Sequence, residues 1–330
     1  EKQQGNYKTA LELFGRALRI NQSQPSVFNN LGVTLLELGH AQQALECFAD
    51  ALRLKPDYAE ALQNRGLSLA AMNRHADALQ SFEDALQLNP SYAAALNSRG
   101  NSLHALGRSR DAIGSFRQAL LLQPEYAECH NNLGYVLRRL GRHEEALAAY
   151  QEAVRLRADY ADAHWNYAIL LLLLGRYQLG WQHYEWRLVK QDMRHNFRDD
   201  PVHDWRGKQD VAGKRVLVYA EQGLGDAIQF VRYLPLLAEL GAQVVLEANR
   251  RLLPLLSSMR MPLTLLAKGD PLPPYDFSCP LMSLPMVFGT TLQTIPTAGP
   301  YLFADPQKVA KCQQRLGLRQ RFRVGLGWMA

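Results

Sequence analysis

A spacing of 34 residues governs the first half of this 330-residue chain. Gly32, Gly66, Gly100 and Gly134 fall in register, as do Ala44, Ala78, Ala112 and Ala146, and Ala51, Ala85, Ala119 and Ala153. A large ring recurs at Phe48, Phe82, Phe116 and Tyr150. Pro56, Pro90 and Pro124 close three units, Ala158 takes that place in the fourth, and Tyr58, Tyr92, Tyr126 and Tyr160 come just after. Such a period means stacked supersecondary units, because one short unit cannot bury its own apolar face. The spacing of Ala44, Leu45, Phe48 and Leu52 is helical. Gly and Ala let two helices approach, the ring fills the space beside them, and Pro ends the second helix. Gly39 and Gly141 supply turns within hairpins. The expected fold here is an all-α solenoid.

The ends of the array depart from the pattern. Residues Glu1 to Gln24 match a unit from the middle of its first helix onward, with Ala10, Phe14 and Ala17 in register, so the chain is expected to start inside a unit. Residues Ala161 to Lys190 begin as a unit, with Ala163, Asn166 and Gly175, and then diverge at Gly180 and Arg187. Trp181, Tyr184 and Trp186 crowd that last helix. This reads as a capping unit that docks on the next domain, and the tryptophans as interdomain packing.

Composition narrows the function classes. The net charge is +6 and no run of five basic residues occurs, so neither nucleic acid nor an anionic membrane is indicated as a partner. Cys47, Cys129, Cys279 and Cys312 lie far apart, which argues against a zinc site or a secreted disulfide scaffold and for a reducing, cytoplasmic setting. His183, His195 and His203 lack ligand spacing, and no metal is expected. The longest apolar run, Ile169 to Leu174, is too short to span a bilayer.

Near residue 200 the pattern changes. Strand-type runs at Arg215–Ala220, Gln243–Ala248, Leu263–Leu266 and Asp276–Cys279 alternate with helical patterns at Ala227–Leu240 and around Leu252–Met259. Alternation of this kind implies an α/β, Rossmann-like parallel sheet whose ligands sit beyond the carboxyl ends of its strands. Glu221, Gln222, Gly223 and Gly225 form the first such loop, ahead of Asp226. The loop imitates a dinucleotide fingerprint, but Ile228 stands where the third glycine belongs. Asp226 can accept a proton from a substrate hydroxyl or cap the helix, and the two roles are compatible. Arg187 and Arg232 can pair with phosphate, although solvated or ion-paired roles are the simpler expectation.

The 34-residue pattern resembles the tetratricopeptide repeat. The runs Gly180-Trp181-x-x-Tyr184-Glu185-Trp186-Arg187, Ala220 to Asp226, Gln229-Phe230-x-Arg232-Tyr233, Ser283-Leu284-Pro285, Phe288 to Leu292 and Ile295-Pro296 resemble the region that comes after the repeats in bacterial tetratricopeptide proteins with a glycosyltransferase-like (GT-B) domain. That domain is similar to the amino-terminal, acceptor-binding half of the heptosyltransferase family, and Gly225-Asp226 matches the motif that carries the family's proposed catalytic base. The resemblance implies hexosyl or heptosyl transfer from a nucleotide-sugar to a protein or glycan acceptor in the intact parent. Residues Arg323 to Trp328 look like the first strand of the donor half, so no cofactor site is expected in this chain, which by itself is expected to be inactive. The implied organisation is a solenoid over 1–190, a linker over 191–213, the acceptor-side domain over 214–322 and the start of a donor domain over 323–330.

Asn30, Asn64, Asn132 and Asn166 recur in phase on the first helix of each unit, with Ser98 breaking the series and Asn97 and Asn131 beside it. An amide offers a donor and an acceptor and can hold an extended peptide by its backbone. The row resembles the asparagine ladder of eukaryotic O-GlcNAc transferase. It can equally face solvent or tie adjacent helices together. A protein or peptide in this groove is the expected partner, whether the parent is an enzyme or a non-catalytic scaffold.

Overall fold

The computed structural model describes residues 2–297 and 299–316. They fall into two compact units, divided between Leu171 and Leu172. In the first, α1 (Lys2–Ile20) precedes four hairpins: α2 (Pro25–Glu37) with α3 (Ala41–Leu54), α4 (Ala59–Ala71) with α5 (His75–Leu88), α6 (Ala93–Ala105) with α7 (Ser109–Leu122), and α8 (Ala127–Arg139) with α9 (His143–Leu156). Next comes α10 (Ala161–Leu173). The in-phase alanines and rings are buried without exposed surface, Ala44, Phe48 and Ala51 among them.

Each hairpin closes where a ring lies on a glycine. A Cβ built on Gly66 would stand 2.4 Å from Phe82, and one on Gly32, Gly100 or Gly134 would meet Phe48, Phe116 or Tyr150 at 2.6, 2.6 or 2.8 Å. Helix ends show the expected chemistry. His40 N–H donates to Leu35 O and Gly39 N–H to Leu36 O, a Schellman closure whose left-handed residue is Gly39 at φ 82°. Asn73, at φ 59°, takes the same place in the second hairpin. The register that pairs Gly5 with Gly39 is not accompanied by a turn, since α1 runs unbroken through Gly5.

The second unit holds α11 (Tyr177–Tyr184), β1 (Arg215–Tyr219), α12 (Leu224–Phe230), α13 (Leu234–Glu239), β2 (Gln243–Ala248), α14 (Leu253–Leu256), β3 (Thr264–Ala267), β4 (Phe277–Pro280), α15 (Leu284–Val287) and α16 (Pro306–Leu316). The four strands form one parallel sheet in the order β3-β2-β1-β4, and β1 and β2 are buried along most of their length. The strand positions read from sequence hold to within a residue. The single helix expected over 227–240 is instead broken by a 3-10 turn at Val231–Tyr233, just ahead of Pro235.

Residues 191–213, expected as a linker, are tied to the sheet. Trp205 is buried, its backbone N–H donates to Ser278 O at 2.8 Å, Ser278 N–H donates to His203 O at 2.6 Å, and Tyr275 Oη donates to Asp200 Oδ2 at 2.8 Å. The expected strand at 323–328 lies outside the described residues. No described helix is long and apolar enough to cross a membrane.

The ring-on-glycine contact yields a prediction. Ala is the better helix former, yet Gly66→Ala should lower unfolding free energy by about 1–3 kcal/mol, the cost of overpacking a filled site. Urea titration monitored by circular dichroism measures it, and an equal or higher midpoint would contradict the packing account.

Candidate functional sites

The first helices α2, α4, α6 and α8 touch one another along the array more closely than α3, α5, α7 and α9 do. They therefore line the inner side of its bend. Side-chain amides link them. Asn64 Nδ2 donates to Asn29 Oδ1 at 2.9 Å, Asn132 to Asn97 at 3.1 Å, and Asn166 to Asn131 at 3.0 Å. Asn97 and Asn131 are buried and donate in turn to Tyr126 Oη and Tyr160 Oη. Their hydrogen bonds are thus spent inside the array. Asn64, Asn132 and Asn166 are partly exposed, and each Oδ1 has no donor among the described residues. Asn30 is exposed, its Oδ1 3.4 Å from Asn29 Nδ2.

Ser98 interrupts the series without breaking the linkage. Gln63 Nε2 donates to Ser98 Oγ at 2.9 Å, so a side chain one methylene longer meets one shorter and the bond runs in the opposite direction. The interruption is plain in the sequence, whereas the compensation is signalled there only by Gln63 standing in the register of Asn29.

In the second unit the loop after β1 leads into α12. Asp226 occupies its first turn, and its Oδ2 accepts the Gly223 N–H at 3.0 Å. The capping role is present. Gly225, expected in the loop, lies in the first turn of α12, where a Cβ would meet nothing within 4 Å. Gln222 Nε2 donates to Tyr184 Oη at 3.1 Å. Glu221, the fourth loop candidate beside Gly223 and Gly225, turns inward and is buried.

Sheet order reverses beside β1, since β2 and β3 lie to one side and β4 to the other. In open parallel sheets the crevice at that reversal takes ligands. Here it holds side chains of the same unit. Arg187, fully buried, donates through Nη2 to Glu221 Oε1 at 3.0 Å and to Ser283 Oγ at 2.8 Å, and through Nη1 to Glu185 Oε1. Arg206 donates to Glu185 Oε2 at 2.7 Å and Ser283 Oγ at 2.9 Å. Met282 N–H donates to Glu221 Oε1 at 3.2 Å. Burial pushes the Glu221 carboxyl up, against the pull of the Arg187 guanidinium. Trp181 rests edge-on against Tyr184 and Phe230. The divergent helix therefore docks on the sheet's loops, and the expected boundary at 190 lies within the second unit. Glu185, Ser283 and Arg206 are partners in this network that sequence reasoning missed. Glu185 and Ser283 stand in the runs around Trp186 and Pro285, but nothing in those runs says that the charges meet.

Breaking a buried charge pair from one side is costly, because it strands the partner. Arg187→Met should cost about 3 kcal/mol of unfolding free energy. Glu221→Gln should cost less, since the fold already disfavours the ionised carboxylate. With its proton affinity raised in the fold, Glu221 contributes most stability below the ordinary carboxylate range and loses it as pH rises. The deficit of Glu221→Gln relative to wild type should therefore shrink with rising pH. Denaturant unfolding monitored by tryptophan fluorescence across pH checks this, and a deficit that grows with pH contradicts it.

Family models for the tetratricopeptide repeat match residues 1–39, 29–93, 64–109, 97–161 and 145–185. Among solved structures, a thermophilic TPR protein of Thermus thermophilus is 31% identical over 52% of this chain and 93% of its own, at a TM-score of 0.47. YrrB, a TPR protein with an unusual peptide-binding site, is 20% identical over 55% and 94%, at 0.42. PilF of Pseudomonas aeruginosa is 23% identical over 52% and 79%, at 0.48. No curated protein matches the chain. Repeats of this kind are protein-interaction modules. Through residues 1–185, the chain belongs to the tetratricopeptide repeat family.

Proposed function

We propose that the first unit holds an extended polypeptide along its inner face and that the second is the acceptor-side half of a glycosyltransferase-like fold. The row of half-exposed asparagine carbonyls carries the reading. Asn64, Asn132 and Asn166 each use Nδ2 to bind the preceding repeat, which fixes the amide plane and leaves Oδ1 as an oriented acceptor. Acceptors on α4, α8 and α10 suit backbone N–H groups, which every peptide offers whatever its side chains. Asn30 extends the row at one end.

Asp226 supports the second half of the proposal. Its Oδ2 is held by Gly223 N–H, while Oδ1 has no donor among the described residues. A carboxylate so oriented is suited to take the proton of an attacking hydroxyl. In this reading a nucleotide-sugar is the donor, the donor-side half supplies its site, and a protein or glycan is the acceptor. The four cysteines are free thiols, which fits a reducing, cytoplasmic setting.

Two measurements test the proposal. The double variant Asn64→Ala with Asn132→Ala should bind peptides, selected from a random library on the wild-type chain, about tenfold more weakly, while remaining folded. Unchanged affinity would remove the asparagine row. In the full-length protein, Asp226→Asn should abolish sugar transfer from a nucleotide-sugar with unaltered melting. Retained transfer rules out Asp226 as base, and a wild-type protein that binds peptide yet transfers nothing is a scaffold.

A further inference from the structure

We propose that the second unit carries a binding pocket for a small organic carboxylate, built on Arg232 and Arg260. This does not rest on the function proposed above. The cavity, about 250 Å³, opens between α13 and the segment 300–303 and is walled by Leu236, Met259, Pro296 and Pro300. Four of its residues, Pro235, Glu239, Arg260 and Met261, also border a shallower depression reaching Gln243 and Thr264, the first residues of β2 and β3. It therefore lies toward the amino ends of the strands, away from the loop that carries Asp226.

Two arginines of the unit are held differently from its ion-paired ones. Arg187, Arg198, Arg206 and Arg250 all pair with carboxylates. Arg232 and Arg260 have no carboxylate partner among the described residues, and aromatic rings hold them instead. The Arg232 guanidinium lies 4.9 Å from the centre of the Tyr301 ring and donates to Tyr301 Oη at 3.1 Å. Tyr301 Oη donates to Ile228 O at 3.1 Å, which fixes the ring. Arg260 lies 3.8 Å over Phe303, whose N–H is held by Ser258 Oγ at 2.9 Å. Stacking orients a guanidinium plane without neutralising it. Arg232 Nε is buried and has no hydrogen-bond partner. The residue itself is partly exposed on the cavity wall and its Nη1 has no partner among the described residues, so an oxyanion that reaches Nη1 gains a charge-assisted hydrogen bond.

The pocket also chooses among anions. The exposed Arg260 guanidinium offers Nε and Nη side by side, which match the two oxygens of a carboxylate. The walls of methionine, leucine and proline suit an apolar body attached to it. Glu239 on the rim, itself without an ion-pair partner among the described residues, reduces the local excess to one positive charge and so disfavours a doubly charged phosphate. The volume is at the small end for ligand sites, which excludes a peptide chain from the interior.

Isothermal titration of the full chain with benzoate tests the site, with benzamide as the uncharged isostere and inorganic phosphate as the competing anion. Benzoate should bind saturably, and benzamide at least about tenfold more weakly. Arg232→Met, which keeps the stacked volume and removes the charge, should weaken benzoate by about tenfold with a melting temperature near wild type. Should that variant fail to fold, Arg260→Met at the exposed rim gives the same reading. Absence of saturable benzoate binding, equal affinity in a folded variant, or tighter binding of phosphate than benzoate would overturn the proposal.

Discussion

Between the two helices of every hairpin, a ring sits where a side chain on the facing glycine would have to be. The distance from Gly66 to Phe82 leaves no room for a methyl group, and the same holds at Gly32, Gly100 and Gly134. This contact sets how closely the helices pack, and its recurrence makes successive hairpins nearly superposable. Everything between hairpins depends on that sameness. A side-chain hydrogen bond tolerates only a few tenths of an ångström, so the bonds from Asn64, Asn132 and Asn166 to the preceding repeat, at 2.9–3.1 Å, presuppose a constant step. Buried small residues and rings fix the geometry, and polar side chains then exploit it.

The repeat is legible in sequence because each of its positions has one physical job. A glycine under a ring, an alanine at a crossing and a proline after a helix can be read without knowing what lies across from them. The β-strands are legible for a similar reason, as short apolar runs bounded by turns. Pairwise events are not. That Gln63 and Ser98 exchange lengths, or that Arg187 reaches Glu221 and Ser283, depends on which residues the fold brings together from far along the chain, 34 and 96 positions away in the case of Arg187. The capping role of Asp226 is readable from its place at a helix start. Whether it also serves as a base is not written in local sequence, since both roles use the same residue at the same position.

The network around Arg187 changes what the divergent helix is for. A cap needs only to cover the last apolar face of a solenoid. This one sends a fully buried cation into the crevice where the sheet order reverses, and two loops, Glu221–Gln222 and Met282–Ser283, are organised around it. Without that guanidinium, Glu221 would be a buried acid with backbone donors alone. The segment through Arg187 is therefore part of the second unit's interior, and the chain's own charged side chains occupy the crevice. Asp226 stands outside that plug, in the first turn of α12.

The asparagines show how cohesion and recognition can be assigned to one side chain. An amide that used both ends for cohesion would hold the array but present nothing, as Asn97 and Asn131 do. An amide left wholly to solvent would present both ends but in no fixed direction. Asn64, Asn132 and Asn166 spend the donor on their neighbour and keep the acceptor, so each carbonyl is oriented by the contact that stabilises the stack. Ser98 lacks this second function, because its short side chain is buried in the stack, where it receives Gln63. The row of outward acceptors is therefore discontinuous at the third hairpin, while the bonding between hairpins is not. A polypeptide held along this face would be gripped on either side of α6 and free to bend across it.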